Sequence, residues 1–234
     1  MSQLLNTAKR HSIVAAYEFD EASGNLLDKI GSNNGTASGT PVYGATDQLG
    51  GTEAIEFDGS TDYFTLGSNV LNGASAYTVE LLAKVESATD RIWFDERDAG
   101  SDGVRIYTSS GTLYVNHNAS SITAIGSITT SQWHHVHVVW DGSDVFIYVD
   151  GSQVGTGSIA TALSTTAAAV IGARSFSGAN NWFDGDISHV AIYPRALTAT
   201  EVGELYDVGT PKWAEIRSAV RPAVRKAVRD LTYI

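Results

Sequence analysis

The 234-residue chain contains no cysteine. That excludes a disulfide framework, a thiolate metal site and a thiol nucleophile, and leaves the redox compartment open. Long apolar runs are missing as well. No stretch approaches the roughly 18 uninterrupted residues that a membrane-spanning helix needs, so a soluble protein with no membrane partner is expected. The segment Met1–His11 lacks an apolar core, so no export signal is expected either. The sequons Asn34-Gly35-Thr36 and Asn118-Ala119-Ser120 then read as chance matches to a short pattern. Basic charge is scarce: 15 Lys and Arg stand against 26 Asp and Glu, a net −11. The imbalance is uneven. From Thr210 onward, Lys212, Arg217, Arg221, Arg225, Lys226 and Arg229 face only Glu215 and Asp230, which gives +4 and leaves −15 on residues 1–209. Such a body repels nucleic acid and anionic membranes, while the tail suits an acidic partner. Catalytic signatures are absent too: there is no Gly-x-Ser-x-Gly elbow, no phosphate-binding glycine loop and no His-Glu-x-x-His.

What the chain does have is β patterning. The stretch Trp133–Gly151 alternates His135, His137 and Val139 with His134, Val136, Val138 and Trp140. It turns at Asp141-Gly142-Ser143 and returns through Val145 to Val149. Apolar residues on both faces predict a hairpin in the middle of a two-layer sandwich. Further strands are expected at 13–19, 77–85, 91–94, 104–107, 113–116, 168–171 and 187–193, with a short hairpin over 54–66. Residues 20–53 carry too little apolar periodicity for a regular element, 95–103 reads as a charged loop, and 174–186 reads as an exposed loop. Thr198-Ala199-Thr200-Glu201 is a capping box, which predicts one short helix over 199–207. The tail differs in kind. Ala-Val-Arg recurs at 219–221, 223–225 and 227–229, which places Val220, Val224 and Val228 on one helical stripe and Arg221, Arg225 and Arg229 on the next. Pro222 either kinks that helix or starts its second half. The organisation expected is an arm over 1–12, an all-β domain over 13–208 and a basic amphipathic tail over 209–234.

An ordered set of motifs carries a resemblance. Val14-Ala15-Ala16-Tyr17-Glu18-Phe19-Asp20, Asn33-Asn34-Gly35-Thr36, Ile55-Glu56-Phe57-Asp58-Gly59, Trp133-His134-His135-Val136, Trp140-Asp141-Gly142, Tyr148-Val149-Asp150-Gly151 and Phe183-Asp184-Gly185-Asp186-Ile187 resemble the laminin-G-like, concanavalin A-like lectin family over about residues 13–208. The resemblance implies an all-β, two-sheet antiparallel jelly roll whose curved face or rim loops bind a ligand, commonly a glycan. It also implies a structural calcium ion, with Asp28, Asn33, Asn34 and Asp186 as ligands because the family's fold sets the early loop beside the late strand. The alternative for these residues is that Asp28 and Asn34 make Asx turns and Asp186 accepts backbone hydrogen bonds.

Sugars are held by an aromatic face together with amides, guanidinium groups and carboxylates. Trp93, Arg97, Asp98, Tyr107, Asn116, His117, Asn118, Arg174, Asn180 and Trp182 are the candidates. His135 and His137 lie two apart on one strand face, a spacing that suits two metal ligands, but no third ligand can be placed, and they read as packed sandwich residues. A glycosidase needs two carboxylates across the sugar, and Glu96 with Asp98 is the one tempting pair. The function expected is therefore a non-enzymatic, lectin-like binding module. It is expected to be displayed as a decoration or fibre subunit on a phage-type virion released by lysis, and to bind a glycan or cell-surface polysaccharide. Homo-oligomerisation or anchoring would run through Trp213, Val220, Arg221, Val224, Arg225, Val228 and Arg229. The alternatives are a glycan-cleaving enzyme of the same fold and a purely structural oligomerisation subunit.

Overall fold

A computed structural model describes residues 12–51, 53–87, 89–99, 101–175 and 181–209. The arm, Asn180 and the tail residues Trp213, Val220, Arg221, Val224, Arg225, Val228 and Arg229 lie outside the described residues.

Two antiparallel sheets stack face to face. Across the first, the order is β13 (Ser152–Ser158), β12 (Asp144–Val149), β11 (Trp133–Trp140), β6 (Tyr77–Val85), β15 (Asp184–Tyr193), β4 (Ala54–Asp58) and β3 (Val42–Ala45), with β1 (Ala15–Tyr17) also on β15. Across the second, the order is β10 (Ser120–Ser127), β9 (Thr112–His117), β8 (Gly103–Ser109), β7 (Arg91–Arg97), β14 (Val170–Ile171), β5 (Tyr63–Leu66) and β2 (Gly35–Ser38). Period-two alternation decides what each strand buries. On β6, Tyr77, Val79, Leu81, Ala83 and Val85 point into the core between the sheets. Leu82 points the other way, into a second apolar cluster with Ala16, Val139, Tyr148, Ala191 and Tyr193. That outer cluster is closed by α1 (Ala199–Gly209), which lays Val202 and Leu205 onto it. The expected hairpin is β11–β12, with Val136 opposite Val149 and Trp140 opposite Val145. Its two apolar faces are explained by the core on one side and the helix on the other.

One end of the core is aromatic. Phe57 meets Phe64 and Phe183 edge-on at 5.8 and 5.7 Å, and Trp93 meets Phe183 edge-on at 5.6 Å. Each such pair adds about 1 kcal/mol beyond its buried area.

Three local expectations are corrected. Residues 54–66 do not form a hairpin: β4 joins the first sheet and β5 the second. The chain between them turns on side-chain hydrogen bonds to Asp58 and Asp62. Asp58 Oδ1 accepts the N–H of Ser60 (2.8 Å) and Thr61 (2.7 Å), and Asp62 Oδ1 accepts that of Thr40 (2.6 Å). Gly39, at φ +78°, leaves room for this, since a Cβ there would lie 2.2 Å from Asp62 Oδ1. Residues 20–53, read as irregular, hold the short edge strands β2 and β3. The charged stretch Asp95-Glu96-Arg97, read as loop, continues β7, because Asp95 and Glu96 pair with Arg105 and Val104.

Candidate functional site

The outer face of the second sheet brings together polar and aromatic side chains that the interior of a sandwich would exclude. The local cause is the β8–β9 hairpin. Ser110 (φ 50°) and Gly111 (φ 82°) form its two-residue turn between the paired Ser109 and Thr112, and positive φ at both positions matches the twist of the flanking strands. This register sets Tyr107 opposite Tyr114 and Arg105 opposite Asn116, all half-buried, while Val104, Ile106, Leu113 and Val115 turn into the core. The two tyrosine rings stack at 5.3 Å with planes 20° apart.

Beside them, Asp95 is fully buried and takes Arg105 Nε and Nη2 on one oxygen, at 3.0 and 2.8 Å. Its partners also include the N–H of Ser175 (3.2 Å) and of Arg97 (3.1 Å), and Ser175 Oγ–H donates to the Arg97 carbonyl. Burial raises the Asp95 carboxyl above its ordinary range, with Arg105 pulling the other way. Asp95 thus fixes the Arg105 guanidinium at the edge of the tyrosine pair, and the segment carrying Arg174 and Ser175 is tied down next to Arg97.

Of the sequence candidates, Arg97, Tyr107, Arg174 and Asn116 share this strip. The others go elsewhere. Trp93 is fully buried: a β-bulge between Ile92 and Phe94 turns it into the core against Phe183, which corrects its reading as a ligand platform. Trp182 sits at the opposite end of β7, where its carbonyl accepts Arg91 Nη1 at 3.1 Å. Six residues of strand, about 20 Å, separate Arg91 from Arg97. Asn118 is a turn residue, with Oδ1 accepting the Gly103 N–H at 3.0 Å. His117 is buried, bonded to the Tyr77 hydroxyl and the Thr161 carbonyl. Asp98 closes the 98–102 turn by accepting the Asp102 N–H at 3.1 Å. Glu96 points inward and accepts the N–H of Val70 (3.0 Å) and Leu71 (2.9 Å), so Glu96 and Asp98 do not form a carboxylate pair across a cleft. Asp95, Arg105, Tyr114 and Ser175 were not singled out from the sequence. The signal available was alternation along 103–109 and 112–117, which puts Arg105 and Tyr107 on one face and Tyr114 and Asn116 on the same face of the next strand.

Of the residues expected to hold calcium, Asp28, Asn33 and Asn34 lie together and Asp186 lies apart. Asp28 Oδ1 accepts the N–H of Ala16 (3.2 Å) and Ile30 (3.0 Å), Oδ2 accepts that of Asn33 (3.2 Å), and Asn34 Oδ1 accepts that of Asp28 (2.9 Å). Ala16 pairs with Ala191, five residues along β15 from Asp186, or about 16 Å. Asp186 itself pairs with Lys84 at 2.7 Å. Oxygens already turned onto N–H donors, with the fourth residue this distant, do not fit a cation that wants six to eight oxygens around it. Asp28 makes an Asx turn to Ile30, Asn34 reaches back to the Asp28 N–H, Asn33 accepts the Ser68 hydroxyl, and Asp186 makes an ion pair.

The sequence matches the concanavalin A-like lectin/glucanases superfamily over residues 58–203. The chain belongs to this superfamily. Its fold agrees with solved structures of the same architecture. Domain 4 of an extracellular arabinanase from Geobacillus stearothermophilus, solved with arabinotriose, superposes with a TM-score of 0.67 at 23% identity, over 83% of this chain and 98% of that one. The receptor-binding domain of a botulinum neurotoxin C/D mosaic gives 0.67 at 13% identity, over 84% of this chain and 51% of that one. A botulinum neurotoxin DC binding domain, solved with rat synaptotagmin II, gives 0.67 at 12% identity, over 85% and 52%. The chain therefore spans about half the length of the neurotoxin chains. No curated protein matches it. At these identities the superpositions establish the fold, and the superfamily assignment agrees with the sequence resemblance. Among the described residues no helix is long and apolar enough to cross a membrane.

Proposed function

We propose that the protein is a non-enzymatic carbohydrate-binding module that holds a glycan across the outer face of β7–β9. The observation that carries this reading is the half-exposed, stacked Tyr107–Tyr114 pair, with Arg105 locked beside it by a buried carboxylate and Asn116 next in line. Flat rings offer the apolar face of a sugar a platform, while guanidinium and amide groups pair with its hydroxyls. The arabinanase domain solved with arabinotriose supports a sugar as ligand. A neurotoxin domain of this fold solved with rat synaptotagmin II, and a type C neurotoxin structure whose cell entry depends on interaction with two ganglioside molecules, support a role in surface recognition.

The test is a glycan array followed by titration calorimetry on the full chain. Tyr107→Ala and Tyr114→Ala are expected to weaken binding about tenfold or more, as anchor aromatics do, with thermal stability nearly unchanged. Trp182→Ala, at the far rim, is expected to leave affinity unaltered. No glycan bound, or a loss with Trp182→Ala alone, overturns the proposal; the first result favours a structural decoration or oligomerisation subunit. The setting that fits the module is display on a phage-type virion, attached through the basic tail, whose +4 against a body of −15 supports an acidic partner away from the domain.

A further inference from the structure

On the opposite face of the sandwich, beneath α1, four ionisable side chains and a tyrosine from three neighbouring strands converge in an otherwise apolar layer. Glu80 comes from β6, His135 and His137 from β11, and His189 and Tyr193 from β15; none is more than 2% exposed. The spacing of β11 puts His135 and His137 on one face, and pairing sets them opposite Leu82 and Glu80. The bulge in β15 between Ile187 and His189 turns His189 to the same side. Glu80 Oε1 lies 2.7 Å from His135 Nε2 and 3.8 Å from His137 Nε2, and the His135 and His137 rings are 4.4 Å apart. Glu80 Oε2 accepts the Tyr193 hydroxyl and lies 3.9 Å from His189 Nε2.

The hydrogen bonds in this cluster do not close. His137 Nδ1 and Nε2, His135 Nδ1 and His189 Nε2 are all buried without a hydrogen-bond partner among the described residues. A buried polar atom left unpaired costs about 1–3 kcal/mol, so a cluster holding four of them in an apolar layer is poorly explained as packing. An ion among these side chains would engage two of the four, His137 Nε2 and His189 Nε2. One ligand atom from each of Glu80, His135 and His137 can be chosen so that all three lie within 4.8 Å of one another. A tetrahedral zinc ion, with bonds of about 2.1 Å, needs its ligand atoms roughly 3.4 Å apart, and the observed 2.7 and 3.8 Å fall on either side of that value.

The geometry points to a structural transition-metal site for zinc or a similar nitrogen-preferring divalent ion, bound by Glu80 Oε1, His135 and His137, with His189 the nearest further nitrogen. Tyr193 holds the second carboxylate oxygen and so orients Glu80, the part that groups around a metal ligand usually play. Binding at His135 Nε2 moves the ring proton to Nδ1, so that the neutral imidazole ligates the ion and Glu80 Oε1 turns from the N–H to the metal. Zinc is favoured over calcium because imidazole nitrogens outnumber the carboxylate oxygens. The site lies on the outer face of the first sheet, under the helix and on the side away from the tyrosine strip, so it is structural and does not contact the proposed glycan.

The full chain, stripped with a chelator and titrated with Zn²⁺ alone, is expected to take up one equivalent and to melt several degrees higher. Co²⁺ in its place is expected to give the visible absorption of a tetrahedral nitrogen–oxygen shell. H137Q and E80Q are each expected to lower affinity about 100-fold or more, whereas H134Q, whose imidazole instead bonds Asp150 (2.8 Å) and the Thr129 carbonyl, is expected to bind as the parent chain does. Should the cluster variants fail to fold, X-ray absorption of the zinc-loaded parent chain decides. Imidazole nitrogens with one carboxylate oxygen support the site, and an all-oxygen shell overturns it. Absence of stoichiometric binding, or binding that H137Q leaves intact, also overturns it.

Discussion

A single buried carboxyl shows how much a side chain's surroundings set its behaviour. Glu96 looks in the sequence like half of a catalytic pair, yet it is wholly inside the sandwich and caps the backbone N–H groups of Val70 and Leu71. Burial pushes its carboxyl up to about 7, against the pull of those two N–H donors. The folded chain therefore holds this proton more tightly than the unfolded chain does. Stability from this group is full below the unfolded value of about 4.3 and is lost as pH rises through about 7, by at most about 4 kcal/mol. Denaturant melts between pH 4.5 and 8 are expected to show that decline in the parent chain and a flatter profile in Glu96→Gln. The slope is the readout, because the glutamine amide turns one N–H toward another and lowers stability at every pH. Equal slopes in the two proteins would place the titration elsewhere.

At the scale of elements, the helix is the piece whose cause reads most directly. Thr198 Oγ1 accepts the Glu201 N–H at 3.3 Å while Glu201 Oε2 accepts the Thr198 N–H at 2.8 Å, the reciprocal bonds of the capping box; Arg195 clamps the same glutamate at 2.6 Å. Thr198→Ala is expected to cost about 1 kcal/mol. Leu205→Ala, which opens the layer under the helix, is expected to cost about 2–5 kcal/mol. Thermal melts of the two variants should keep that order, and a reversal would mean that the helix is held by its ends rather than by its face. Local signals of this kind made the helix, the β11–β12 hairpin and β6 legible. What local pattern could not supply was which sheet a strand joins. Ala54–Asp58 and Tyr63–Leu66 look like a hairpin because turn residues separate them, whereas pairing with strands distant in sequence, β4 with β15 and β5 with β14, puts them in different sheets. The β10 and β13 strands escaped notice because Ser, Thr and Gly dominate these edge strands. The same limit applied to the site. Arg97, Tyr107 and Arg174 were picked for their chemistry, whereas Asp95 was lost to a loop that proved to be strand, and Trp93 was misplaced because a one-residue bulge is invisible to alternation. His135 and His137 were legible as a pair. Their third partner, Glu80, lies 55 residues away in sequence, across a strand pairing.

For the whole molecule, the two proposed tasks fall on different sheets. The tyrosine strip faces outward from the second sheet, while α1, the element from which the tail departs, covers the outer face of the first. The described chain ends on the face away from the strip, so the attachment and recognition proposed above need not compete. Binding by one domain should then be insensitive to the tail, and only avidity should depend on it. A chain ending at Gly209, first checked for an unchanged thermal melt, is expected to bind a soluble monovalent oligosaccharide within about twofold of the full chain. On a densely glycosylated surface the full chain gains on the order of 10²–10⁴ if the tail gathers several copies, because later contacts become intramolecular. Light scattering would report the same tail-dependent change in mass. If truncation weakens the monovalent interaction, the tail contributes to the binding face itself. If neither avidity nor mass changes while assembly onto a particle is lost, the tail is an anchor rather than an oligomerisation device, and the acidic surface it seeks belongs to another protein.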